Sequence, residues 1–141
     1  MMKSRSQKIA IKAFARIKDK DREPYTEEAK KKYATLVHKL PAMLLQNGLT
    51  QTTGFLLAKK NEAHHSDLLT DLRLIVEALA THQYEDNVDF HEAIIHLNLP
   101  QTLAMTRNVL AISGWLRRYV QGVWNIGPDG EDVNQTALEE K

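Results

Sequence analysis

The chain has 141 residues with no cysteine, 43% hydrophobic and 26% charged residues, and a formal net charge of +1. That is the length of one domain with enough apolar content for a core. The missing cysteines exclude disulfides, a thiol nucleophile and thiolate-held metals, and no run approaches the roughly 18 apolar residues of a membrane span.

The opening MMKSRSQKIAIKAF is basic and lacks the apolar h-region of a secretion signal, which predicts a mature cytoplasmic protein. Helical periodicity starts within it. The spacing predicts a first helix over about Ser6 to Lys18, with Ala10, Ala13, Phe14 and Ile17 turned inward and Arg5, Lys8, Lys12 and Arg16 aligned as a basic ridge. After the polar stretch DKDREPY, Thr26 is an N-cap candidate for a second helix, with Glu27 and Glu28 at its positive end. Its buried stripe is Ala29, Tyr33, Leu36, Leu40 and Met43/Leu44. Pro41 predicts a kink or a restart. Asn47-Gly48 predicts a stop, and Thr50 a cap for the following helix through Phe55, Leu56 and Leu57 to Lys59-Lys60.

A fourth helix is expected from Ser66, with Leu68, Leu69, Leu72, Ile75, Val76 and Leu79 as its core face. Asp89 is expected to cap a shorter fifth. Pro100 opens the longest helix, whose stripe Met105, Val109, Ile112, Leu116, Val120 and Val123 keeps three/four spacing. Beyond Trp124 the chain is polar, acidic and punctuated by glycine and proline. The fold class is therefore all-α: a compact bundle of five or six helices with a disordered acidic C-terminal tail. Residues 1–124 form one helical domain and residues 125–141 a flexible tail.

Charge is strongly segregated along this architecture. Residues 1–60 carry a balance of +9, residues 61–106 of −7, residues 107–124 of +3 and the remainder of −4. Such sectoring suits a surface that meets a polyanion, and equally an unevenly charged solvated exterior.

Catalytic patterns are weak. His91 and His96 superficially resemble a zinc-protease pair, but five residues place them about 140° apart on a helix, unable to share an ion. His64, His65 and His82 have no partner at metal spacing, so no metal site is predicted and no cofactor is called for. Ser113-Gly114 lies within the most regular helix, without the elbow of a serine nucleophile. The carboxylates of residues 62–92 read as a solvated helix face, which leaves general acid/base work unsupported. On the last helix, Gly114 and Arg118 each fall within about 20° of Arg107, and Arg117 flanks them. Arginine suits phosphate because its fork donates two hydrogen bonds to one anion, although such residues also serve simply to solubilise a face. Trp115, Tyr119 and Trp124 read as core or subunit contacts.

Three blocks together resemble a known family. They are RSQKIAIKAF; the corner from Tyr33 through Lys39-Leu40-Pro41, Asn47-Gly48-Leu49 and Gln51 to Phe55-Leu56-Leu57-Ala58-Lys59; and Thr106-Arg107 through Trp115-Leu116-Arg117-Arg118-Tyr119. In this order they are similar to the small all-helical subunit of the type III-B CRISPR effector, the Cmr RAMP complex. The resemblance covers roughly half of the chain; residues 61–99 match only as generic helices. It implies a non-catalytic protein, several copies of which stack into a filament beside the backbone subunits and help line the channel where guide RNA (crRNA) pairs with target RNA. Its partners would be these RNAs, the other Cmr RAMP subunits and further copies of itself, with no membrane. The RNA-facing set it implies is Arg5, Lys8, Lys12, Arg16, Lys39, Gln51, Lys59, Arg107, Arg117 and Arg118, while Leu40, Phe55 and Leu116 are assigned to the core. The alternatives are the equivalent type III-A subunit, a helical adaptor binding protein alone, and a helix-turn-helix regulator. The last is disfavoured because TQTTGFLLAKK carries its charges at the wrong end to read bases.

Overall fold

The computed structural model describes residues 2–21, 25–80 and 82–128. Among them, five helices follow in chain order: α1 (Arg5–Asp19), α2 (Glu27–Ala58), α3 (Ala63–Leu79), α4 (Asn87–Ile95) and α5 (Leu99–Gly122). No strand occurs among the described residues.

Side chains satisfy the free amides at most helix starts. Ser4 and Gln7 form a capping box on α1, with reciprocal bonds of 3.1 and 2.9 Å, so the helix begins before the expected Ser6. Thr26 accepts from the Ala29 amide at 3.1 Å, as its sequence position predicts. α3 starts at Ala63 rather than Ser66. Asp86, not Asp89, caps α4, accepting from the Asp89 amide at 2.8 Å. Asn98 and Gln101 box the start of α5, with Pro100 in its first turn, where no amide is missed.

α2 departs from expectation at its proline. The backbone stays helical through Pro41, and the break falls at Gly48, with φ 84° and ψ 169°. That region of backbone space belongs essentially to glycine. The helix resumes at Leu49 without a loop. Thr50 does not cap the restart; instead Thr52 donates its hydroxyl to the Gly48 carbonyl at 2.7 Å.

The bundle closes by packing α2 against α3, α5 and α4, and α1 against α5 and α3. Its core joins Ile9 and Ile17 of α1, Tyr33, Val37, Leu40 and Leu56 of α2, Leu68, Leu72 and Ile75 of α3, Phe90 of α4, and Val109, Ile112, Leu116 and Val120 of α5. α1 is rotated from the sequence expectation. Ile9 is buried, while Phe14 is exposed on one side and sets its ring edge against Tyr119 at 5.3 Å. The Tyr119 hydroxyl donates to the Ala10 carbonyl at 3.2 Å.

The ordered domain continues past Trp124. Asn125 takes a left-handed turn (φ 60°), which asparagine tolerates better than most residues. Ile126 then enters the core; its amide returns to the Val120 carbonyl at 3.0 Å, and its own carbonyl lies 3.1 Å from His38 Nε2. The expected tail boundary at residue 125 therefore moves outward. Residues 129–141 lie outside the described residues.

One buried carboxylate ties three helices. Asp71 of α3 is 0% exposed on the apolar face of its helix. Its Oδ1 accepts from Arg16 Nε at 2.7 Å, and its Oδ2 from Lys20 Nζ and from the Tyr33 hydroxyl. Lys20 also donates to the Arg16 carbonyl and lies over the Tyr33 ring, 4.7 Å from its centre. Burial works against the charge of Arg16, but the hydrogen bond and charge of Asp71 outweigh it and raise its pKa. Burial and then the Asp71 charge push Tyr33 well above the usual phenol range.

A second cluster seals the end of α5. The Trp124 indole donates to Asp21 at 2.9 Å, Lys30 pairs with Asp21 at 3.0 Å, and Tyr25 and Tyr33 flank the indole ring. Partial burial raises the Asp21 pKa, but the bonds from Lys30 and Trp124 outweigh it and leave the value lowered.

Removing the Asp71 carboxylate strands two cations. Asp71→Ala is expected to lose about 3–5 kcal/mol in urea unfolding, against less than about 0.5 kcal/mol for Arg5→Ala on the same bundle. Asp21, with its folded pKa below the unfolded value, contributes stability that is complete above about pH 4 and lost as pH falls through the folded pKa. Asp21→Asn should therefore be less stable than the parent at neutral pH and converge with it in acid, read by Trp124 fluorescence.

Candidate nucleic-acid interface

The basic residues singled out in the sequence fall into two groups. Arg16 leaves the proposed set: its guanidinium is spent on Asp71, with Asp19 at 3.7 Å, and points along the inner face of α1. Arg5, Lys8, Lys12, Lys39, Lys59, Arg107, Arg117 and Arg118 form no ion pair with a carboxylate among the described residues. All of these but the half-buried Lys12 are exposed, as is Gln51. Unpaired, hydrated cations are those that can exchange their counterions for phosphate.

Arg5 and Lys8 stand at a groove of about 310 Å³ between α1, α3 and α5. Val76, Leu79, Tyr84 and Met105 give it apolar walls, and Asn108 lies in it with a buried Oδ1 that has no hydrogen-bond partner. Tyr84 and Asn108 were not identifiable in advance. Residues 84 and 108 come together only as walls of this groove, and neither stands out by type.

Arg118 stacks on Trp115, 4.9 Å from the ring centre, and Trp115 lies against Tyr119 at 5.7 Å. This holds the guanidinium plane on a rigid aromatic base. One turn back, a Cβ built on Gly114 meets nothing within 4 Å. No neighbour in the fold requires glycine there, and the surface beside Arg118 is open. Lys59, closing α2, lies over Phe55 at 5.4 Å. Phe55 was assigned to the core, yet it is 39% exposed; Leu40 and Leu116 are buried as expected.

The acidic segment is less of a free surface than its count suggests. Asp71 is internal. Glu77 bonds the Tyr84 amide at 2.8 Å and faces Arg73 at 3.5 Å, while Asp86 and Asp89 bond amides around the start of α4. These carboxylates are not the uniformly solvated face that the spacing suggests.

Catalytic geometry is equally constrained. Thr53 Oγ1 and His91 Nδ1 lie 2.8 Å apart, but Thr53 is buried and its hydroxyl cannot be reached by a substrate. His96 turns its Nδ1 to the Glu92 carbonyl at 2.9 Å, while His91 turns its own to Thr53. His64 and His65, expected to lack a partner, have one in Glu62: the three ligand atoms lie within 4.8 Å of one another.

Five helices on one core, carrying exposed cations that pair with no carboxylate and no helix long and apolar enough to cross a membrane among the described residues, define a small all-helical protein. The family described as CRISPR-associated protein (Cas_Cmr5) matches residues 5–123. The CRISPR system Cmr subunit Cmr5 of Thermus thermophilus is 33% identical over 122 residues, covering 86% of this chain and 97% of that protein. The X-ray crystal structure of a CRISPR-associated Cmr5 family protein, also from Thermus thermophilus, superposes with a TM-score of 0.70 at 28% identity, over 85% of this chain and 97% of the other. The chain belongs to the Cmr5 family, the small subunits of the type III-B Cmr complex.

The open space at Gly114 makes a simple prediction. Gly114→Ala should fold and gain about 0.5–1 kcal/mol in thermal or chemical unfolding, since alanine is the better helix former and meets no neighbour.

Proposed function

We propose that this protein is a non-catalytic subunit that stacks in a filament beside the backbone of a cytoplasmic Cmr complex and helps to hold guide and target RNA through its basic surface. The observation that carries the reading is the set of cations left without carboxylate partners among the described residues: Arg5, Lys8, Lys12, Lys39, Lys59, Arg107, Arg117 and Arg118, with Gln51 as a neutral donor beside them. Contacts of this type recognise the sugar-phosphate chain and carry little base information. A subunit that must serve any guide needs that indifference.

The apolar exterior supports the assembly part of the reading. Leu99 and Leu103, one helical turn apart on α5, are 71% and 53% exposed, and Ile95 precedes them at the end of α4. Exposed apolar clusters of this kind favour contact with a neighbouring protein. The Cmr RAMP subunits and further copies of this chain are the partners proposed for it.

The test is the double charge reversal Lys12→Glu with Arg118→Glu. The variant should keep the parent's circular dichroism and enter the complex. It should bind target RNA at least about tenfold more weakly, with a salt dependence shallower by about one to two units of log K per log salt. Assembly with parental target affinity would refute the basic-surface assignment, and salt-independent binding to protein partners without RNA would favour the adaptor reading.

A further inference from the structure

We propose that Glu62, His64 and His65 form a binding site for a first-row divalent transition ion of the zinc, nickel or cobalt class, with its remaining coordination positions open to water. The site is built at the start of α3. Glu62 is the N-cap residue, with φ −96° and ψ 114°, yet its side chain makes no capping bond. The carboxylate turns instead toward the two imidazoles. Its Oε2 is 3.0 Å from His65 Nδ1 and 3.9 Å from His64 Nε2. Tetrahedral ligands at the usual zinc distances of about 2.0–2.2 Å lie roughly 3.3 Å from one another. The three atoms therefore need only side-chain rotations to converge on one ion.

The orphaned nitrogen is what points to a ligand. The His65 side chain is 8% exposed, and its Nδ1 is buried without a hydrogen bond, although the Glu62 oxygen lies 3.0 Å away. A buried polar atom in that state costs about 1–3 kcal/mol. A cation between the carboxylate and the lone pair satisfies both groups. The His65 ring is held in place by the edge of Phe55 at 5.4 Å and by His64 at 4.2 Å. Burial lowers both histidine pKa values, which keeps the imidazoles in the neutral form that binds metal.

His64 and Glu62 also border an open cavity of about 690 Å³, shared with Tyr25, Thr26, Glu28 and Asn61. Water has room there to complete the coordination. Two features act against a cation: the positive amino end of α3, and the lysines Lys32 and Lys59 near His64. The affinity expected is therefore micromolar.

This site does not depend on the RNA-binding reading, and the test is run on the full chain without RNA. Calorimetric titration with zinc chloride and nickel chloride should show one ion per chain and a raised melting temperature. Cobalt(II) should give a visible absorption band. Glu62→Gln and His64→Gln, both on the accessible side, should each weaken binding at least about tenfold, while His91→Gln together with His96→Gln should leave it unchanged. His65→Gln should do the same as the first two; as a buried position its folding is checked by circular dichroism. The proposal is overturned if no ion binds, or if binding persists within about twofold in Glu62→Gln and His64→Gln.

Discussion

Asp71 is the carboxylate on which the arrangement of α1, α2 and α3 depends. It sits on the same face of α3 as Leu68, Leu72 and Ile75, where water cannot reach it, and it draws Arg16 and Lys20 from α1 and its C-cap and Tyr33 from α2 to one point. Taking such charges out of water costs several kcal/mol per ion, recovered only when every lone pair and proton finds a partner. Here the partners are dense: Asp71 accepts from three donors, and Lys20 has the Asp71 carboxylate, the Arg16 carbonyl and the Tyr33 ring. Apolar contacts supply most of the driving force for the bundle. The polar knot does something else, fixing the rotation of α1 about its axis, since only one rotation brings residues 16 and 20 to the carboxylate together.

That rotation decides which cations remain outside. Arg16 reads as part of a ridge with Arg5, Lys8 and Lys12, but the knot draws it inward and turns Phe14 toward Tyr119 at the margin of α5. The exposed cations without carboxylate partners among the described residues are thus what remains after the fold has used its own charges. Lys18 and Lys30 are engaged with Asp21, and Lys32 with Glu28. The acidic half is depleted in the same way, through Asp71, Glu77, Asp86 and Asp89. Counting charge along the chain exaggerated the contrast between its two halves.

Much of the fold was legible in the sequence because three/four spacing of apolar residues directly encodes a buried face. The stripes of α2, α3 and α5 lie where the spacing puts them, and Thr26 and Pro100 mark their helix starts. The starts of α1, α3 and α4 were missed by a few residues at most, although Ser4-x-x-Gln7 is itself a capping signature. The inner face of α1 was misread because Phe14 outweighed Ile9 by size. Asp71 offered a usable clue: a carboxylate on a face with Leu68, Leu72 and Ile75 must find cations somewhere. Which cations it finds is settled by how α1 lies across α3, and the sharing of one groove by Tyr84 and Asn108 depends on tertiary packing in the same way. The Glu62, His64 and His65 cluster was hidden for another reason. Its side chains gather at a helix start, where Glu62, still in extended conformation, can face His64 two residues on as it could not within a regular helix.

Gly48 carries a mechanical consequence. With φ 84° and ψ 169°, this residue joins the two halves of α2 with no intervening loop. Lys39 stands on one half, and Gln51 and Lys59 on the other or at its end. The distance and angle between those side chains are therefore set at a single hinge-like joint rather than by a flexible connection. Both arms enter the one core, Leu40 and Leu44 from the first and Leu49 and Leu56 from the second, so the bundle itself holds the elbow at its angle.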